Sequence, residues 1–153
     1  MYRMLKSNSE RAAAEAISLT QDLVRAASPS LAESGVAERV ERAMREAGFD
    51  RILRDEYGNV IGLMYGRSGG PSLLMNGHLD TADVGDVSAW AFDPWCGDVQ
   101  DGNLLGLGAA DCKGGLAAQI FAAAALKRSM LPLQGNLVVA ATVAQENGHG
   151  VGV

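Results

Sequence analysis

"GNLVVAATVAQENGHG", residues 135–150, is the stretch on which the fold turns. Leu137 to Ala144 is an apolar run broken only by Thr142. It does not alternate, so it reads as a strand inside a covered parallel sheet rather than one with a wet face. Upstream, "KGGLAAQIFAAAALKRSM" reads as a helix that is apolar nearly all round and is therefore expected to be buried on more than one side. Before it, "SLLMNGHLD" is a short apolar strand ending in polar residues. Strand 72–79, helix 113–129 and strand 136–144 thus form an expected βαβ unit. The fold class that follows is α/β, a mostly parallel sheet with helices on both faces.

The N-terminal part fits this class. "SNSE" at 7–10 and "SLAE" at 30–33 both match the S-x-x-E capping box and are expected to open helices. The second helix should stop at Gly48. "RILRDEY" and "VIGLMYG" flank Gly58-Asn59 and read as a hairpin, and "RSGGP" reads as a turn. Residues 81–110 are rich in glycine and aspartate and should hold short strands at most.

Composition narrows the function. The chain of 153 residues is large enough for one domain with a real core. A net charge of −5 with no basic cluster argues against a nucleic-acid partner. No apolar run is long enough to span a membrane, and the N-terminus lacks a signal-type apolar segment. Cys96 and Cys112 form neither a disulfide framework nor a zinc knuckle, so a reduced, cytoplasmic setting is expected. "GLGAAD" lacks the third glycine of a dinucleotide fingerprint, "GAADCKGG" is no P-loop, and no G-x-S-x-G elbow occurs.

Three polar clusters remain. His78 and Asp80 end one strand, Gln145 and Glu146 end another, and Asp111 stands just before the helix between them. In open α/β sheets, ligands bind outside the carboxyl ends of the strands, and all three clusters should reach that edge. His78 and Asp80 are two apart, so in extended chain they face one side, and a carboxylate there can hold an imidazole in one tautomer. One histidine with two carboxylates is a first shell suited to zinc or a similar divalent metal. Taken singly, each has a plainer reading: a surface or capping pair, an N-cap, an exposed loop acid. His149 reads as solvated and Cys112 as a packed small residue. Trp90 and Trp95 read as anchors of the 81–100 loop, with a substrate wall as the alternative.

"NGHLDTADVGDVSAWAFDPWCGDVQDGNLLGLGAADCKGGLAA", followed by "LVVAATVAQENGHGVGV", closely resembles the M20 metallopeptidase family. Within it, the match is to the group of acetylornithine deacetylase, succinyl-diaminopimelate desuccinylase, carboxypeptidase G2-like enzymes and aminoacylases. "DEYGNVIG" also resembles the family, and the likeness extends over about residues 10–153. The resemblance implies a zinc-peptidase-like catalytic domain and the N-terminal portion of it. It implies that His78 ligates a first zinc, that Asp80 orients His78, and that Asp111 bridges both zincs beside a cis peptide to Cys112. Glu146 would ligate the second zinc, with cobalt or manganese as alternatives. Gln145 falls where the family carries its general base, normally a glutamate. The implied reaction is hydrolysis of an amide in an N-acyl amino acid or small peptide, by a full-length form that is a homodimer.

Two departures modify that expectation. The family's further acidic ligand, its distant histidine, its dimerisation domain and the rest of its catalytic domain find no match in residues 1–153, so weak metal binding and no activity are expected of this chain alone. Gln145 cannot accept a proton near neutral pH, although its carbonyl can hydrogen-bond a water. The competing expectation is an inactive homologue or fragment that binds a metal or small ligand without hydrolysing it.

Overall fold

The computed structural model describes residues 2–67 and 69–148. Two helices come first, α1 (Tyr2–Val24) and α2 (Ser34–Glu46), followed by the hairpin β1 (Arg51–Arg54) and β2 (Val60–Met64). Then come β3 (Leu73–His78), a two-residue ribbon of β4 (Val99–Gln100) and β5 (Asn103–Leu104), helix α3 (Gly114–Arg128) and β6 (Leu137–Thr142). Among the described residues, no helix is long and apolar enough to cross a membrane.

The main sheet runs β1-β2-β6-β3. β3 and β6 pair in parallel, from Leu73 opposite Leu137 to His78 opposite Thr142, with α3 as the crossover. This is the βαβ unit read from the sequence. The other two pairings are antiparallel, so the α/β sheet is mixed rather than mostly parallel. The reason lies in the short link between β2 and β3. It doubles back beneath the start of β6 and sets the whole hairpin against β6 in the opposite sense. Backbones nearly touch at that crossing: a Cβ on Gly135 would lie 1.9 Å from the carbonyl oxygen of Pro71.

One face of the sheet carries the core. A Cβ on Gly62 would meet Phe49 and Met44 beside α2, and one on Gly77 would meet Cys112 and Leu116 beside α3. Gly62 pairs with Val139 and Gly77 with Ala141, so α2 and α3 cover the same face. Val60, Met64, Val139, Leu116, Ile120, Val36, Val40 and Met44 are fully buried there. Each such side chain contributes about 1.5–3 kcal/mol of burial. The sequence expectation put helices on both faces. The opposite face instead leaves Leu53 and Leu74 exposed, with Ile61, Leu63 and Val138 only partly covered.

Neither capping box is used as expected. α1 begins at Tyr2 and runs through "SNSE". Ser, Asn and Glu cost little inside a helix, and no Gly or Pro interrupts the segment. α2 begins at Ser34, just after "SLAE", and its N-cap Glu33 makes no side-chain cap bond. The Gly48 stop does form. Gly48 has φ 84°, Phe49 N–H bonds to Met44 O and Gly48 N–H to Arg45 O, the paired bonds of a Schellman turn.

Candidate metal centre

Parallel pairing brings the carboxyl ends of β3 and β6 to one edge. The antiparallel hairpin places its turn, residues 55–59, at that same edge, because Val60 lies opposite Ala141. Residues 28–33, between α1 and α2, also arrive there. Thr81 N–H donates to Ser28 O at 2.9 Å, and Pro29 bridges to Thr81.

His78 ends β3, nearly buried. Its Nδ1 donates to the backbone oxygen of Asp80 at 2.9 Å and lies 3.3 Å from Asp80 Oδ1. A carbonyl oxygen can only accept, so Nδ1 carries a proton and Nε2 faces outward. Nε2 is 3.0 Å from Asp111 Oδ1. Burial pulls the imidazole pKa down. The Asp111 hydrogen bond, then the Asp80 backbone and both carboxylates, outweigh it and raise the pKa above the ordinary histidine value. The imidazole is thus easier to protonate than a free histidine, with Nε2 facing the Asp111 carboxylate.

Asp80 is fully buried and accepts three further hydrogen bonds. Ser30 Oγ donates to Oδ2 at 2.6 Å, Gln145 N–H to Oδ1 at 3.2 Å and Glu146 N–H to Oδ2 at 2.9 Å. Burial pushes its carboxyl up, but these donors prevail and hold it below the usual aspartate range. One side chain therefore ties the histidine on β3 to the corner after β6.

Asp111 sits in the turn Ala109–Lys113 that leads into α3, and the Asp111–Cys112 peptide is cis. Its carboxylate is 81% exposed, held out toward the cleft. Asp111 and Glu146 line one cavity of about 410 Å³ with Trp90, Thr81, Leu107 and Gly108. The chain thus brings His78, Asp80, Asp111, Gln145 and Glu146 to one edge. His78, Asp111 and Cys112 place ligand atoms within 4.8 Å of one another. Cys112 is occupied otherwise. Its Sγ receives His78 N–H at 2.9 Å and faces His78 O at 3.4 Å, and burial pushes the thiol pKa up. A thiolate ligand is disfavoured there. Imidazole nitrogen and carboxylate oxygen remain, a donor set that fits zinc and similar divalent ions.

Lys113, beside Asp111, points away from the cleft. Fully buried, its Nζ donates to Leu23 O and Ala26 O at 2.9 Å each, capping the end of α1. Burial brings its pKa down to about 8. Trp90 does anchor its loop, donating from Nε1 to Val84 O at 3.0 Å and meeting Phe92 edge-on, and it also forms part of the cavity wall. His149 lies outside the described residues.

Sequence reasoning passed over three residues at this edge. In the sequence, Ser30 and Glu33 match a capping box and Asn59 matches a turn. Asn59 Oδ1 accepts Val143 N–H at 2.9 Å, and Glu33 Oε1 accepts Ala144 N–H at 2.9 Å. Their partners lie 84 and 111 residues away, so no local pattern announces them.

The sequence and the fold match proteins already known. Residues 74–153 match the model of peptidase family M20/M25/M40, and the chain belongs to that family. It is 40% identical over 113 residues to the succinyl-diaminopimelate desuccinylase of Rhodopseudomonas palustris, covering 71% of this chain and 29% of that protein. Human carnosine dipeptidase 1 shares the fold with a TM-score of 0.81 at 18% identity, over 98% of this chain and 36% of that one. The Bacillus subtilis YXEP protein, described as a dinuclear metal binding peptidase from the M20 family, has a TM-score of 0.63 at 20% identity, over 91% of this chain and 36% of that one. The chain spans about a third of the length of the curated relatives it matches.

Proposed function

We propose that residues 1–153 form the N-terminal portion of a zinc-dependent catalytic domain that hydrolyses an amide bond in an N-acyl amino acid or small peptide. His78, Asp111 and Glu146 are its metal ligands, and Asp80 orients His78. The observation that carries this reading is the convergence on one cleft: His78 Nε2 stands 3.0 Å from Asp111, while Asp80 holds both the imidazole and the backbone of Glu146. Family membership and the desuccinylase relative support the reaction class. The exposed Asp111 and the uncovered sheet face support the reading that further chain packs onto this portion; a dimerisation domain and a homodimeric full-length enzyme are what the family resemblance implies.

Bound zinc would supply Lewis acidity at the scissile carbonyl. The chain's own part would be to fix the ligands, with the Gln145 amide available to an attacking water. Gln145 can orient that water by hydrogen bonding but cannot take its proton. General base catalysis contributes about 10²–10⁴-fold, so turnover with Gln145 is slow. Gln145→Glu in the full-length protein is expected to raise turnover of N-acyl amino acids by about that factor. The second reading, a module that binds a metal or small ligand without hydrolysing it, is favoured by Gln145 alone. Unchanged turnover in the Gln145→Glu protein would leave that reading standing. For the metal, zinc is titrated into this chain and into its His78→Ala and Asp111→Ala variants; equal binding by all three would remove the site.

A further inference from the structure

Four successive backbone N–H groups after β6 are each taken by a side chain from elsewhere in the chain. Val143 N–H goes to Asn59 Oδ1, Ala144 to Glu33 Oε1, Gln145 to Asp80 Oδ1 and Glu146 to Asp80 Oδ2, at distances of 2.9, 2.9, 3.2 and 2.9 Å. The corner needs such support. Ala144 has φ 57°, a left-handed conformation that a residue with a Cβ adopts at a cost. It is also fully buried, so its N–H has no recourse to water.

Glu33 meets that need from the link between α1 and α2. It is 5% exposed, and its Oε1 also accepts Leu31 N–H at 2.9 Å, which shapes the link itself. The same link sends Ser30 to Asp80 and Ser28 Oγ to Leu79 O at 2.9 Å. Residues 28–33 therefore grip the end of β3 and the end of β6 together. We infer that Glu33 is a positioning residue for the metal centre: by holding Ala144 N–H in the left-handed corner, it sets where Gln145 and Glu146 enter the cleft. The role toward metal rests on the proposed function above; the hold on the corner does not.

Amide hydrogen exchange on this chain tests the hold. Glu33→Ala should speed exchange at Ala144, Gln145 and Glu146 by about tenfold or more, while Val139 and Ile120 stay protected. Glu33→Gln keeps the acceptor oxygen and should restore slow exchange. Should the alanine variant not fold, Glu33→Asp, one methylene shorter, takes its place. Exchange at 144–146 that is unchanged, or that rises only in step with the whole molecule, overturns the inference. Cobalt titration followed by visible absorption tests the role toward metal. Glu33→Ala should bind Co²⁺ about tenfold more weakly, Glu33→Gln should match the unsubstituted chain, and Val36→Ala, destabilised in the α2 core, should keep its affinity. Equal losses in Glu33→Ala and Val36→Ala would reduce Glu33 to a general structural role. Failure of the unsubstituted chain to bind Co²⁺ would count against the metal centre and leave the exchange result to decide the hold.

Discussion

At the scale of single residues, Asp80 carries the most. Its two oxygens serve a hydroxyl, two backbone N–H groups and an imidazole at once. Asp80→Asn would turn one acceptor into an amide donor facing donors. A buried donor left unpaired costs about 1–3 kcal/mol, which urea unfolding would detect. Partners behind a metal-ligating histidine are worth about 10–100-fold in affinity, so if His78 holds zinc as proposed, zinc binding should fall by that range in competition titrations. Asp55, in the hairpin turn at the same edge, permits a pH prediction. Burial pushes its carboxyl up, but the Asn59 side chain and the N–H groups of Asn59, Tyr57 and Gly58 outweigh it and hold the pKa below the ordinary value. A group depressed in the folded state stabilises above its unfolded pKa, and that contribution is lost as pH falls through the folded value. Below about pH 4, the unsubstituted chain should therefore lose stability more steeply than Asp55→Asn, as read from denaturant midpoints across pH. The meeting of His78, Asp111 and Glu146 at one edge was legible because two of them follow or end strands of a βαβ unit and the third precedes its helix. Glu33 and Asn59 were not, because any polar side chain can accept a distant backbone N–H.

At the scale of elements, local signals succeeded where the chemistry is local. Gly48 stopped α2 because a left-handed residue there is nearly free for glycine. The apolar run at 137–144 gave β6 because composition alone marks a covered strand. Helix starts failed for the opposite reason. "SNSE" suits a helix interior as well as a cap, and "SLAE" was needed by Asp80 and Ala144 instead. Sheet polarity was hidden in the β2–β3 link, whose return depends on glycines at a backbone crossing. Gly135→Ala should show it. With Pro71 O at 1.9 Å from the new Cβ, the crossing must shift, and overpacking of this kind costs about 1–3 kcal/mol. Lys113→Met tests the tie between α3 and α1. It keeps the buried stem but strips Ala26 O of its Lys113 donor and leaves Leu23 O with the Ala26 N–H, for a loss of about 1–3 kcal/mol in urea unfolding. A neutral result would mean that water reaches those carbonyls.

At the scale of the whole molecule, the two faces of the sheet are unequal. α2 and α3 seal one face, while the other presents Leu53, Leu74 and the half-covered Ile61, Leu63 and Val138. β3 lies at the edge of the sheet, and Leu73 beside Leu74 is exposed as well. An apolar sheet face next to an open strand edge invites association. The sequence could not reveal this asymmetry, because β6 reads as covered on both sides whichever chain supplies the second cover. The chain by itself should bind a hydrophobic dye and show concentration-dependent association in sedimentation. Leu53→Lys with Leu74→Lys should suppress both while leaving the urea midpoint nearly unchanged, since neither side chain is in the sealed core. In a full-length protein the same pair should have the opposite consequence. If further chain covers that face, two buried lysines replace two buried leucines, and stability should drop by several kcal/mol. A full-length protein indifferent to both substitutions would mean that the face is open to solvent there too.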